Sequence, residues 1–290
     1  MEIINRRKRM MSVARRLRRE ENRTIGLVPT MGALHEGHLS LIHEARALCD
    51  VVVVSVFVNP TQFGPMEDFE SYPRDLTRDS ALLAEYNVDY VFAPTAEEIY
   101  PAGFSTYVTV EGLSDKLEGA ARPGHFRGVS TVVAILLNIV RPNFAFFGQK
   151  DAQQSIVIKQ MVHDLALDAE IVVLPIVREE SGLAMSSRNA YLDDEERRAA
   201  TVLNRALSQA RAAFDDGERS ATRLVELARS TIEQEPLARV DYVSLNDAAT
   251  LAKVDKIEDR AALLSVAVFF RKTRLIDNVV LGSQRNAATA

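Results

Sequence analysis

The feature that most constrains this chain is the alternation of short apolar runs with amphipathic stretches through residues 1–176. The runs "TIGLVPT" (24–30), "VVVVSVFV" (51–58), "VDYVFAP" (88–94), "NFAFFG" (143–148) and "AEIVVLPIV" (169–177) are continuous and rich in Val, Ile and Phe. Such runs are strands buried on both faces. Between them, "GHLSLIHEARAL" (37–48), "RDLTRDSALLAEYN" (74–87) and "VSTVVAILLNIV" (129–140) read as helices, and "QQSIVIKQMVHDL" (153–165) leads into the last strand. The alternation predicts an α/β fold, a Rossmann-like parallel sheet with helices on both faces. Ligands of that architecture bind beyond the carboxyl ends of the strands, so loops that follow strands matter most.

The pattern changes after Val177. "LDDEERRAATVLNRALSQARAAF" (192–214) and "SATRLVELARSTIEQ" (220–234) read as charged helices, with Asp193 and Ser220 as candidate caps. Three runs then read as strands: "VDYVSLND" (240–247), "AALLSVAVFF" (261–270) and "TRLIDNVVLG" (273–282). The expected division is a Rossmann-like domain over 1–176 and a smaller C-terminal α+β domain over 177–290.

A net charge of −5 argues against bulk binding to nucleic acid or an anionic membrane. The longest apolar stretch, residues 129–140, is short of the roughly 20 residues that a spanning helix needs. A single cysteine, Cys49, cannot form an internal disulfide and suits a cytoplasmic protein. The polar, basic start lacks the apolar core of a secretory signal. Residues 5–23 are strongly basic, which raises RNA contact. Against that, Ile3, Ile4, Met10, Val13 and Leu17 sit at helix-compatible spacings, so a half-buried helix with a solvated cationic face is preferred. The chain closes on a polar tail, "GSQRNAATA" (282–290).

Chemistry concentrates where strands end. In "PTMGALHEGH" (29–38), His35 and His38 lie three apart where a helix should start, near Gly37–His38. Residues at that spacing share one side of a helical turn. Gly32 and Gly37 permit close backbone approach, and a helix start offers N–H groups and a positive dipole end. These features suit a polyphosphate. Zinc fits less well: the spacing is not the i, i+4 of a zincin, and no cysteine cluster adds ligands. "FVNPTQF" (57–63) ends a strand with an Asn-Pro turn and leaves Gln62 beyond it, where a primary amide can hold a carboxylate and a hydroxyl without adding charge. "FFGQKDAQQ" (146–154) follows another strand; Gly148 allows close approach, Lys150 can meet phosphate, and Asp151 can accept from a ribose hydroxyl or cap the next helix. "GLAMSSRN" (182–189) gathers two hydroxyls and a guanidinium into a mobile donor set, or else forms a polar turn.

"GLVPTMGALHEGHLSLI" (26–42) resembles the HxGH signature of the nucleotidyltransferase superfamily, and within it the pantoate–β-alanine ligases. "FVNPTQF", "RPGHFRGVSTVV" (122–133), "FFGQKDAQQ" and "GLAMSSRN" stand in that family's order and spacing, whereas the last hundred residues carry little signature. The resemblance implies condensation of pantoate with β-alanine through a pantoyl adenylate, with ATP as substrate and Mg²⁺ as its companion. It implies a cytoplasmic homodimer whose second domain serves as a lid.

By the same resemblance, ATP is bound by Met31, Gly32, Ala33, Leu34, His35, Glu36, Gly37 and His38. Gly148, Gln149, Lys150 and Asp151 join them, together with Val177, Met185, Ser186, Ser187 and Arg188. His38, His35, Lys150 and Arg188 form the catalytic set, with His38 as proton donor. Gln62 and Gln154 are implied to hold pantoate, with Pro29 and Met31 on its apolar side. Asp79 is a candidate for the metal, although Asp75 and Asp79 also read as an ordinary helix start with exposed carboxylates. His125, Arg127 and Tyr72 have no assigned role, and His125 and Arg127 are expected in a glycine-flanked loop. Ser181 stands where family members often have aspartate. Two other readings stay open: a nucleotidylyltransferase that stops after transferring AMP, and a nucleotide-sensing or RNA-binding module.

Overall fold

The structure, a computed structural model, describes residues 1–65 and 67–282. The tail beyond Gly282 therefore lies outside the described residues. The chain divides into two compact units, one of residues 1–149 and 153–175, the other of 150–152 and 176–290.

The first unit holds a six-stranded parallel sheet: β1 (Glu2–Ile4), β2 (Ile25–Thr30), β3 (Val51–Val56), β4 (Tyr90–Phe92), β5 (Phe144–Gly148) and β6 (Glu170–Leu174). Its spatial order is β1-β4-β3-β2-β5-β6. The chain winds outward from β2 through β3 to β4, then returns to the other side of β2 for β5. The order reverses between β2 and β5, the place where open α/β sheets bind ligands.

Alternate residues of the strands feed two cores. Leu27, Val51, Val53, Ala145 and Phe147 face one side, with Met10, Val13, Phe126, Val133 and Ile158 from helices Arg7–Arg19, His125–Val140 and Ala152–Asp164. Val28, Val52, Val54 and Phe146 face the other, under Leu39, Ile42 and Ala45 of helix Glu36–Leu48. That period of two explains why these strands are apolar throughout. Cys49 is buried in the second core, and burial pushes its thiol up to about 11. No described helix is long and apolar enough to cross a membrane.

The second unit packs helices Val202–Asp215 and Ala221–Glu233 on an antiparallel sheet of β7 (Ala238–Asp247), β8 (Ala262–Phe270) and β9 (Thr273–Leu281), with β8 central. Both expected caps are present. Asp193 and Glu196 form a reciprocal capping box, and the Ser220 hydroxyl accepts from the Arg223 N–H.

Three expectations need correction. Ile3 and Ile4 belong to a strand paired with β4, not to the basic helix, which starts at Arg7; Met10, Val13 and Leu17 do form its buried face. The Glu98 carboxylate accepts from the Arg7 N–H and the Arg6 guanidinium, fixing that start. The charged run 192–214 is two helices, Asp194–Ala200 and Val202–Asp215, parted at Thr201, whose hydroxyl donates back to the Arg198 carbonyl. Finally, His125 and Arg127 lie in the first turn of helix His125–Val140 rather than in a loop, because Gly124 at φ +84° serves as its cap.

Candidate active site

β2 ends at Thr30, whose hydroxyl donates to the Ser55 carbonyl and accepts from the Gly32 N–H. Gly32 and Ala33 then adopt φ of +84° and +51°, a left-handed turn that sets up the helix start. The helix begins at Glu36 with His35 as its cap, a residue or two before the expected place. His35 Nδ1 accepts from the Gly37 N–H at 3.2 Å, and His38 Nδ1 accepts from the His35 N–H at 3.4 Å. The two imidazoles thus form a capping box, with ring centroids 4.1 Å apart. A backbone N–H only donates, so Nδ1 of each neutral ring carries no hydrogen and Nε2–H becomes the donor. The sequence suggested backbone N–H groups open to phosphate. Here the amides of Gly32, Ala33, Leu34, His35 and Gly37 all have acceptors within the protein.

Asp79 supplies two of those acceptors. It is 1% exposed, and its carboxylate accepts from Ala33 and Leu34 N–H at 3.0 Å each. This corrects the expectation of an exposed helix-start carboxylate; Asp75 is the cap that accepts from the Arg78 N–H. Both Asp79 oxygens point into the loop. Among the described residues no group of three or more His, Cys, Asp or Glu could by itself hold a metal ion. A resident Mg²⁺ does not fit this carboxylate, because its two oxygens already accept from the Ala33 and Leu34 amides.

The amide loop meets the histidine loop. β3 runs out through Phe57 to Asn59, which caps the short turn Pro60–Gln62. Asn59 is 1% exposed and ties the region together: its Nδ2 donates to Gln62 Oε1 and the Gly128 carbonyl, and its Oδ1 accepts from Tyr100 and Thr61. Gln62 Nε2 in turn lies 3.1 Å from Met31 Sδ. Pro29, Met31 and Gln62 are half-buried. Gly128 lets helix His125–Val140 approach, since a Cβ there would sit 2.3 Å from the Thr61 carbonyl oxygen. Asn59 is the functional residue that sequence reasoning missed; its buried amide was hidden in what read as a simple Asn-Pro turn.

Behind Gln62, the His125 Nδ1 lies 2.8 Å from the Gln62 carbonyl, and Nε2 lies 3.2 Å from the Arg122 guanidinium. Because Arg122 only donates, Nδ1–H must be the donor to Gln62. Burial, reinforced by Arg122, pushes this imidazole down to about 4. Arg122 also pairs with Glu67, anchoring the segment that follows Gln62. Tyr72 is buried against Phe63, and Arg127 stacks 3.7 Å from the Tyr107 ring, which gives both residues packing roles.

Of the adjacent glutamines Gln153 and Gln154, Gln153 is structural: it accepts from the Glu118 N–H and donates to the Leu113 and Lys116 carbonyls. Gln154 is half-buried one position on, in the first turn of helix Ala152–Asp164, with Gly148 at the end of β5 and Gln149 opening the turn Gln149–Asp151.

The second unit carries the remaining candidates. Lys150 lies 3.6 Å from Asp151, and its carbonyl accepts from Asn278. The Val177 carbonyl accepts from the Met185 N–H. Ser181 accepts from the Leu183 N–H and closes a turn that Arg178 braces against Asp277. The Ser186 hydroxyl accepts from the Arg188 N–H, capping the turn Ser187–Tyr191. Asn189 donates to Glu179 and the Ala184 carbonyl. The Met185–Arg188 stretch thus leads into a turn that Ser186 caps.

A parallel sheet whose switch-point loop carries two capped imidazoles defines an α/β protein with a candidate ligand site at the ends of its central strands. The particular family follows from the whole chain. The sequence profile of the Pantoate-beta-alanine ligase family matches residues 2–280, and the chain belongs to that family. It is 57% identical over 264 residues to a pantothenate synthetase of Pelotomaculum thermopropionicum, covering 91% of this chain and 93% of that one. It is 55% identical over 273 residues to another from Heliobacterium modesticaldum, covering 94% and 97%. The crystal structure of pantothenate synthetase from Thermus thermophilus superposes with a TM-score of 0.91 at 46% identity, over 96% of this chain and 99% of that one. A pantoate-β-alanine ligase from Francisella tularensis, complexed with β,γ ATP and β-alanine, gives 0.79 at 37% identity over 97% of both chains.

Proposed function

We propose that the imidazoles of the HxGH loop and the amide of Gln62 serve one two-step reaction. The chain condenses pantoate with β-alanine in an ATP-dependent reaction, as membership of the ligase family and its similarity to the named relatives support. The observation that carries the active-site reading is the 3.1 Å contact of Gln62 with Met31, which brings the amide turn against the loop that holds both imidazoles.

In the first step the pantoate carboxylate attacks the α-phosphorus of ATP. The bond to the pyrophosphate oxygen breaks, leaving pantoyl adenylate. In the second, the β-alanine amine attacks the acyl carbon, AMP departs and an amide forms. Adenylation is needed because a bare carboxylate would have to expel oxide. The protein positions the reactants and stabilises charge.

Gln62 and Gln154 hold pantoate against Pro29 and Met31. His35 and His38 each donate a hydrogen bond from Nε2–H as negative charge grows on the leaving pyrophosphate; with Nδ1 of His38 held as an acceptor, that ring stabilises charge and keeps its proton. Lys150 and Arg188 supply cations, and Ser186 and Ser187 supply hydroxyls. Gly148, Gln149, Asp151, Val177 and Met185 complete the nucleotide contacts. Mg²⁺ accompanying ATP would offset phosphate charge, and none of these residues is assigned to hold it. The enzyme acts as a cytoplasmic homodimer.

Pantoate labelled with ¹⁸O in its carboxylate tests the route. Acyl adenylation predicts one ¹⁸O in the AMP released with β-alanine. Unlabelled AMP, with the ¹⁸O that leaves the carboxylate found in phosphate or water instead, contradicts it.

A further inference from the structure

We infer that Asp79 is a positioning residue for adenylation: its buried carboxylate brackets the Ala33 and Leu34 amides and so fixes where the loop holds its two imidazoles. The inference rests on the ligase reading. It starts from the backbone. Two successive left-handed residues, Gly32 and Ala33, turn the next N–H groups toward one point. Converging amides of this kind make an anion-binding concavity. In a nucleotide enzyme such a concavity invites a phosphate, but here the anion is the protein's own. Asp79 Oδ2 accepts from Ala33 and Oδ1 from Leu34, each at 3.0 Å, and the side chain is 1% exposed.

The fit is close on the other side as well. A Cβ on Gly32 would lie 2.9 Å from Asp79 Oδ2, so the loop reaches this carboxylate only as glycine. Ala33 is a non-glycine residue at positive φ, a strained conformation that persists where surrounding contacts hold it. Charge-assisted bonds from a buried carboxylate supply that hold.

Two consequences follow. The Ala33 and Leu34 amides are already engaged, so the loop meets polyphosphate through side chains rather than through these two N–H groups. Moreover, His35 is the next residue along, and its capping bonds with Gly37 and His38 inherit any shift of the bracket. An error of about 1 Å in a catalytic group can lower a rate about 100-fold.

Asparagine at position 79 keeps the shape but sets an NH₂ group against one of the two N–H donors. Asp79→Asn is expected to lower kcat for pantoate-dependent ATP–pyrophosphate exchange about 100-fold while KM for pantoate stays within about threefold, since Gln62 is held by the separate Asn59 network. Gly32→Ala presses on the same bracket without removing the charge and is expected to show the same split. Exchange within about threefold of wild type in both variants overturns the inference.

The wild-type protein gives an independent readout. Amide hydrogen exchange at Ala33 and Leu34 is expected to be slowed at least about 100-fold without nucleotide and to change little on adding a non-hydrolysable ATP analogue. Fast exchange in the free protein, with protection arising only when nucleotide binds, assigns those amides to phosphate and overturns the bracket. Should wild-type protein show no pantoate-dependent exchange at all, the ligase reading fails, while the amide measurement still decides the bracket.

Discussion

At the residue scale, reactivity comes from side chains whose orientation is dictated by backbone donors. His35 and His38 accept N–H bonds at Nδ1, which leaves Nε2–H as the hydrogen each neutral ring can offer a developing charge. Replacing His38 by alanine removes both a donor and half of the capping box. We expect single-turnover adenylation to fall by about 100- to 1,000-fold with pantoate affinity within about threefold; a normal adenylation rate removes His38 from the catalytic set.

His125 makes a different prediction. Its imidazole titrates near 4 in the folded protein, below the ordinary 6.5, because burial and Arg122 disfavour the cation. Between those pH values the unfolded chain binds a proton that the folded chain does not. Stability is therefore intact above pH 6.5 and declines as pH falls toward 4, by about 3 kcal/mol. Compared with His125→Gln, the wild type should lose that much more on denaturant titration across the window; parallel curves contradict the assignment. The histidine and glutamine motifs were legible in the sequence because their chemistry is local. The tie made by Asn59 and the amide-bracketing role of Asp79, a metal candidate by sequence, were not, since the partners lie 41 and 69 residues away for Asn59 and 45 and 46 for Asp79.

At the scale of elements, the site depends on how closely one helix approaches one turn. Gly128 makes that approach possible, and Gly128→Ala would drive a methyl group to 2.3 Å from the Thr61 carbonyl. The turn must move, and it carries Gln62. The expected result is a pantoate KM raised at least about tenfold, a KM for ATP within about threefold and a stability loss of about 1–3 kcal/mol. An unchanged pantoate KM would show that the turn tolerates displacement. Hydrophobic period fixed most elements in advance, because strands of the central sheet are apolar on both faces. It failed for β1, where three residues are too few to show a period and Ile3 and Ile4 continued a helical pattern by coincidence. It also joined the helices on either side of Thr201, since apolar spacing runs through a break where Thr201 bonds back to the Arg198 carbonyl.

For the whole molecule, Cys49 reports on the integrity of the first unit. Its thiol lies in the core beneath helix Glu36–Leu48, where a Cβ on Gly26 would come within 2.9 Å of Sγ, and burial raises it to about 11. A buried, protonated thiol does not react. Labelling with a thiol reagent should follow the unfolding rate as denaturant rises, and rapid labelling of native protein would mean that this core opens locally. The measurement that bears most directly on the account is exchange of labelled pyrophosphate into ATP by purified protein with Mg²⁺ and no β-alanine. The account predicts exchange that appears on adding pantoate and is lost in His38→Ala. Exchange independent of pantoate, or none with pantoate present, would contradict it.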